Sequence, residues 1–117
     1  MKDAKNEIPL NPIVYYILFT LIGTAPRHGY AIKKSVEVEM GKDVPTATLY
    51  RHLRRMLANG MIDEVEMNIE GDDPRRQYFK LTKFGSHVYD AEYNRLFEAV
   101  RKGRAFGGGL QTMFGES

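Results

Sequence analysis

The chain has 117 residues, of which 43% are hydrophobic and 27% charged, so it has the composition of one globular domain and not of a disordered chain. It has no cysteine, which excludes a disulfide framework and a thiolate metal site and favours a cytoplasmic location. The net charge is only +2, but an acidic stretch at residues 61–74 separates two basic ones at 26–60 and 75–104.

The first predicted helix begins at Pro12, with Asn11 as its N-cap, and ends near Gly23. Residues 1–10 precede it as an N-terminal arm. The apolar run 13–22 is too short for a membrane span, which takes about 20 apolar residues. A helix that is apolar on all sides must be covered on more than one of them, and a domain of this size can rarely do that alone.

The second predicted helix follows a Pro- and Gly-containing turn at residues 25–29. Ile32, Val36 and Met40 recur along it every four residues, which is the spacing of one helical face. Gly41 is its predicted C-terminal cap.

The third predicted helix runs from Thr46, its predicted N-cap, to Asn59, and Gly60 ends it. Its apolar stripe consists of Leu49, Leu53, Met56 and Leu57. Its opposite face carries Thr48, Arg51 and Arg55, flanked by His52 and Arg54. The two faces predict a helix that lies on a core and presents a basic surface.

Two strands are predicted next. The first alternates apolar with polar residues, namely Val65, Met67 and Ile69 with Glu64, Glu66 and Asn68. Residues 77–81 form the second, and the connector 70–76 contains Gly71 and Pro74, which favour a hairpin tip.

The last predicted helix occupies residues 83–102, and the Gly-rich segment 103–117 is expected to be a flexible tail. The helix carries two apolar stripes, whereas the core of one domain can use only one. The first stripe is Phe84, Val88 and Ala91. The second is predicted to meet Tyr15, Tyr16 and Phe19 of a symmetry mate, and it consists of Tyr89, Tyr93, Leu96, Phe97 and Val100.

This order of elements predicts an α+β, mostly helical fold. Residues 11–82 would form a winged helix-turn-helix of three helices and a two-stranded wing, and residues 83–102 a C-terminal dimerisation helix. In this fold the third helix enters the major groove of double-stranded DNA, where each base pair shows a distinct pattern of donors and acceptors.

Four motifs along residues 8–100 resemble those of the PadR-like family of transcriptional regulators. Residues 25–32 (APRHGYAI) resemble the family's entry to its second helix, and 48–51 (TLYR) with Leu53, Arg55 and Met56 resemble its recognition helix. Residues 60–62 (GMI) resemble its exit into the wing, and 75–82 (RRQYFKLT) with Gly85 its second wing strand and last helix. Thr46 and Ala47 stand where the family usually has Pro-Gly, and the short C-terminal part is similar to the family's small C-terminal branch.

The resemblance implies a homodimeric repressor, without a cofactor, that binds a near-palindromic operator. It also implies release of the operator by a small aromatic or hydrophobic effector at the dimer interface. The implied DNA contacts of the recognition helix are Thr46, Thr48, Tyr50, Arg51, Arg54 and Arg55. Those of the wing are Arg75 and Arg76, and those of the second helix, to phosphate, are His28, Tyr30 and Lys33. The predicted dimer interface is Tyr15, Tyr16, Phe19, Tyr89, Tyr93, Leu96, Phe97 and Val100.

These features have alternative interpretations. An arginine cluster on a helix can be a solvated face, and Arg75 and Arg76 can neutralise Asp72 and Asp73 beside them. Tyr30 can pack on the third helix, and the aromatic residues can form an ordinary packed interface without an effector.

Two other functions compete with DNA binding. A winged helix can serve as a protein-interaction module, such as an anti-repressor, and the acidic first wing strand favours this. The basic face of the third helix disfavours it. An enzyme is a weaker alternative, because the sequence has no nucleophile–base motif and its three histidines are far apart, so neither catalysis nor a metal site is expected.

Overall fold

The computed structural model describes residues 10–105. Its elements in chain order are α1 (Pro12–Leu21), β1 (Arg27–His28), α2 (Gly29–Met40), α3 (Thr46–Ala58), β2 (Ile62–Val65), β3 (Tyr78–Leu81) and α4 (Lys83–Ala105). The predicted arm, apart from its last residue, and the predicted tail beyond residue 105 lie outside the described residues. The mostly helical, winged helix-turn-helix class is confirmed.

The sheet differs from the prediction in having three strands, in the order β1-β3-β2. Both neighbours of β3 run antiparallel to it: Arg27 is opposite Phe79, and Ile62 is opposite Leu81. The first wing strand occupies Ile62–Val65. Of the alternation predicted at residues 64–69, only residues 64 and 65 lie in this strand, and the prediction was wrong for 66–69. The position of β2 is set by the pairing of the buried Ile62 with β3. Strand β1 was not predicted because two residues are too few to show a periodicity.

Two predicted helix caps, Asn11 and Gly41, are confirmed, and Thr82 provides a third that was not predicted. The Oδ1 atom of Asn11 accepts a hydrogen bond from the backbone N–H of Ile13 at 2.8 Å. Gly41 ends α2 in the left-handed conformation, with φ of 71°. The hydroxyl of Thr82 accepts from the N–H of Gly85 at 2.9 Å, at the start of α4.

The predicted N-cap of α3 was wrong. Thr46 is the first helical residue, and Pro45 takes the cap position with no side-chain hydrogen bond. Its φ of −58° is the one that the proline ring imposes, so the chain enters α3 through a fixed backbone turn.

The core lies between the first three helices and the sheet. Its fully buried side chains come from every one of these elements except β1: Ile17, Leu18, Ile32, Val36, Leu49, Leu53, Met56, Ile62 and Phe79. In the part of the chain that the structure describes, no helix is both long enough and apolar enough to cross a membrane.

The core-facing side of α4 also differs from the prediction. Gly85, Val88 and Glu92 are buried on it, whereas Phe84 is exposed. Glu92 is paired with Arg95 through two contacts of 2.8 and 2.9 Å, which offsets the cost of burying its carboxylate. A paired carboxylate thus occupies a position that hydrophobic periodicity does not recognise as buried.

Candidate nucleic-acid interface

The outer face of α3 is the main basic surface of the domain. Leu49, Leu53 and Met56 are buried on its inner side, while Arg51, Arg54 and Arg55 are exposed on the other. Within residues 10–103 no carboxylate oxygen lies within 4.0 Å of these three guanidinium groups. The arginines therefore keep their full charge and hydrogen-bonding capacity for an external anion.

His52 lies on the inner side of α3, and the prediction that it flanks the polar face was wrong. Burial lowers the pKa of its imidazole, and the positive charges of Arg51 and Arg55 lower that pKa further. His52 is thus uncharged at neutral pH and adds nothing to the basic face.

Tyr50 connects α3 to the start of α2. Its ring lies against the backbone of Gly29, where any Cβ atom would overlap the tyrosine hydroxyl and ring. Tyr50 and Thr48 are both half-buried, whereas Thr46 is exposed on the same helix. Of the predicted recognition-helix residues, Tyr50 is the hydrophobic one that packs against the core.

The link between α2 and α3 is fixed by Glu37, which was not predicted from the sequence. Its carboxylate accepts a hydrogen bond from the N–H of Val44 at 2.8 Å and pairs with Lys33 at 2.9 Å. These contacts, the Val44 hydrogen bond first, lower the pKa of Glu37. Lys33, a predicted phosphate contact, thus already has an anionic partner in the free protein.

The start of α2 carries the other two predicted phosphate contacts. The Nδ1 atom of His28 accepts a hydrogen bond from the N–H of Ala31 at 3.2 Å, so His28 caps the helix. Burial lowers the pKa of His28, which favours the neutral acceptor form. Tyr30 is 57% exposed beside Lys34, whose Nζ lies 5.5 Å from the ring centre, so the alternative that Tyr30 packs on α3 is disfavoured.

The wing arginines are paired with the neighbouring acids. Arg75 contacts Asp73 at 3.3 Å, and Arg76 contacts Asp72 at 3.1 Å. The alternative interpretation of the sequence, that these arginines neutralise adjacent carboxylates, therefore describes the free protein. It does not prevent contact with DNA, because exposed ion pairs contribute little to stability.

An aromatic surface covers the seam between α1 and α4. Tyr15 stacks on Tyr89 within the same chain, with ring centres 5.2 Å apart and planes at 14°. We call the exposed part of this surface the α1–α4 patch; its members are Phe19, Tyr93, Leu96 and Phe97. A cavity of about 320 Å³ adjoins it, lined by Tyr15, Tyr93, Leu96, Phe97, Val100 and Arg101.

The eight predicted interface residues have different surroundings. Tyr15, Tyr16 and Tyr89 contact one another inside the subunit through the Tyr15 ring. The α1–α4 patch leaves large apolar side chains in solvent, and Val100 is half-buried in the lining of the cavity. Over the described residues there is no group of three His, Asp or Glu side chains able to hold a metal ion.

Comparisons with known proteins give a family and a fold. The model of the transcriptional regulator PadR-like family matches residues 17–91. No curated protein matches the sequence. The solved structure of RosR from H. salinarum is 27% identical, with a TM-score of 0.60 over 83% of this chain and 80% of that chain.

Two further solved structures share the fold at lower identity. A PadR family transcription regulator from Clostridium difficile R20291 is 22% identical, with a TM-score of 0.67 over 82% of this chain and 98% of that chain. Bacillus subtilis PadR in complex with operator DNA is 22% identical, with a TM-score of 0.59 over 71% of this chain and 46% of that chain.

Proposed function

Because the chain belongs to the PadR-like family of transcriptional regulators, we propose that it is a sequence-specific DNA-binding regulator that inserts α3 into the major groove. The observation that carries this proposal is the outer face of α3, with three exposed arginines that have no anionic partner within residues 10–103. The solved complex of Bacillus subtilis PadR with operator DNA supports it, because that protein shares the fold.

The arginines have different roles in this proposal. Arg51 lies one turn into α3 on the same face as Thr48, where a guanidinium group can pair bidentately with guanine. Arg54 and Arg55 lie further along the helix and are proposed to contact base edges or the flanking phosphates. Thr46 and Thr48 would add hydroxyl contacts at the start of the helix.

We further propose that the regulator acts as a homodimer that joins through the α1–α4 patch. Phe19, Tyr93, Leu96 and Phe97 are large apolar side chains on one continuous surface, and burial in a symmetric contact would remove them from water. Two copies of α3 would then read a near-palindromic operator whose half-sites lie about one helical turn apart, near 34 to 36 Å.

The last part of the proposal is that the protein represses transcription and that a small-molecule effector releases it from its operator. A regulator that covers an operator in the cytoplasm blocks transcription by occupying the DNA. The cavity of about 320 Å³ beside the patch falls at the small end of the range for ligand sites. Its aromatic and aliphatic lining favours a small aromatic or hydrophobic effector, whose binding would change the packing between subunits.

A protein-interaction module remains the second candidate, and one observation favours it. Asp63, Glu64 and Glu66 are exposed on and beside β2, where they would repel a DNA backbone and attract a basic protein. Among the described residues, none of these three carboxylates pairs with an arginine of α3, so the two surfaces can serve different partners.

Selection from a pool of random-sequence duplexes tests the proposal. We expect enrichment of one motif with two-fold symmetry, and we expect Arg55→Gln to weaken binding to it. Lys102→Gln, which removes one exposed positive charge at the far end of α4, is the matched control and should bind like the unmodified protein. A folded protein that enriches no motif would favour the protein-interaction module.

A further inference from the structure

The two wing arginines are held in different ways, although they are adjacent in sequence. The side chain of Arg75 is 88% exposed and that of Arg76 is 44% exposed. Their acidic partners differ in the same direction, since the side chain of Asp73 is 43% exposed and that of Asp72 only 13%. Arg75 therefore belongs to a solvated pair and Arg76 to a partly buried one.

Asp72 is attached to the body of the domain by a second hydrogen bond. Its Oδ2 atom accepts from the hydroxyl of Tyr78 at 2.6 Å, while its Oδ1 atom accepts from Arg76 at 3.1 Å. Tyr78 is a buried residue of β3, so both oxygens of the carboxylate are engaged between the wing and the sheet. The Tyr78 hydrogen bond also lowers the pKa of Asp72, which keeps this carboxylate charged.

Tyr78 in turn contacts the start of α2. Its ring meets His28 edge to face, with ring centres 5.4 Å apart and planes at 87°. His28 is opposite Tyr78 in the sheet and caps α2 through the N–H of Ala31. A continuous set of contacts thus runs from Arg76 through Asp72 and Tyr78 to the second helix.

Arg75 lacks any such attachment. Its two guanidinium contacts are both to Asp73, at 3.3 Å, and Asp73 also accepts the backbone N–H of Arg75 at 2.9 Å, which closes a local turn. An exposed pair of this kind exchanges readily with solvent or with another anion. A phosphate can therefore replace Asp73 at little cost, whereas replacing Asp72 on Arg76 would leave a partly buried carboxylate without its cation.

We propose that Asp72 and Tyr78 form a latch that fixes the wing and Arg76 to the winged-helix body, and that Arg75 is the wing side chain that contacts DNA. Asp72 and Tyr78 are positioning residues in this arrangement. The inference rests on the proposed DNA binding, which it deepens by dividing the roles of two residues that are alike in sequence. Fixing the wing before DNA arrives lowers the conformational entropy lost on binding.

Hydrogen exchange of the DNA-free protein tests the latch on its own. The N–H groups of Asp72, Arg75 and Arg76 are protected by turn hydrogen bonds inside the wing loop. We expect Tyr78→Phe, which removes only the hydroxyl, to increase their exchange several-fold, and Arg76→Gln to do the same. Arg75→Gln is the matched control and should leave the exchange of Asp72 and Arg76 unchanged.

Binding to a random-sequence duplex across a salt series tests the division of roles. Arg75→Gln should lower the slope of log affinity against log salt by about one, because one phosphate contact is lost. Arg76→Gln and Tyr78→Phe should weaken binding with the slope unchanged, because they loosen the wing without removing its phosphate contact. An equal fall in slope for both arginine variants, or unchanged exchange in Tyr78→Phe, would overturn the proposal. If the unmodified protein bound no DNA, the proposed function would fail, while the exchange measurement would still decide whether the latch exists.

Discussion

The ring of Tyr50 lies against the backbone of Gly29, in the space that any side chain at position 29 would need. This contact sets how closely α3 approaches the start of α2, and so it helps to aim the basic face of α3. The two positions are far apart in sequence, and neither one alone indicates the contact.

Gly29→Ala should therefore destabilise the protein by about 1 to 3 kcal/mol, the usual cost of forcing extra volume into a packed site. Chemical unfolding monitored by circular dichroism measures this. The double variant Gly29→Ala/Tyr50→Leu should recover part of the loss, because leucine lacks the atoms that overlap. A Gly29→Ala protein as stable as the unmodified one would show that the contact is loose.

Glu37 should make the stability of the domain depend on acid pH. Its pKa is lowered in the folded protein by the Val44 hydrogen bond and the Lys33 pair. A lowered folded-state pKa gives stability that is present above the ordinary carboxyl range and lost as pH falls through the folded value. Free energies of unfolding measured from pH 7 downward should therefore converge between the unmodified protein and Glu37→Gln. Parallel curves would contradict this role.

Leu96→Glu should convert the proposed dimer to monomer, because it places a charge in the centre of the α1–α4 patch. Val38→Glu is the matched control, since Val38 is an exposed aliphatic residue on α2, outside the patch. Analytical ultracentrifugation at micromolar concentration measures the change, and operator affinity should fall with it. A monomeric unmodified protein would rule out the interface.

Asp73→Asn should strengthen binding to any DNA sequence. The asparagine Oδ1 atom can still accept the N–H of Arg75 and keep the turn. The negative charge of Asp73, which competes with DNA phosphate for the Arg75 guanidinium, is gone. We expect a gain of similar size on unrelated duplexes, measured by fluorescence anisotropy at fixed salt. Unchanged or weaker affinity would show that Asp73 does not compete with phosphate.

Periodicity and capping residues predicted the helical part of the fold. The apolar stripe of α3 fixed which arginines are exposed, and Asn11 and Gly41 marked helix ends that the structure contains. The alternation of apolar and polar residues gave a wrong prediction where the pairing between strands decides which residues form the strand. The alternation at residues 64–69 resembles a strand, but β2 begins two residues earlier and ends at Val65, because Ile62 is buried against β3.

The parts of the candidate site that escaped sequence reasoning depend on contacts through folded loops. Glu37 reaches the N–H of Val44 only because the α2–α3 link bends back, and Tyr78 reaches Asp72 only because the wing loop folds over β3. Arg75 and Arg76 each have an aspartate nearby in the sequence, so the sequence does not distinguish them. They differ only in how the folded wing loop buries the two ion pairs. Residue types predicted a basic surface, whereas the structure shows which charges are already paired.

The most direct test of DNA reading by α3 is the affinity of Arg51→Ala for its selected operator and for a scrambled duplex, measured across a salt series. We expect a loss of about 1 to 3 kcal/mol on the operator and a much smaller loss on the scrambled duplex, because a contact to a base edge is missing. Preference at one base position should relax. Equal losses on the two duplexes would contradict base reading by Arg51 and would reduce it to a phosphate contact.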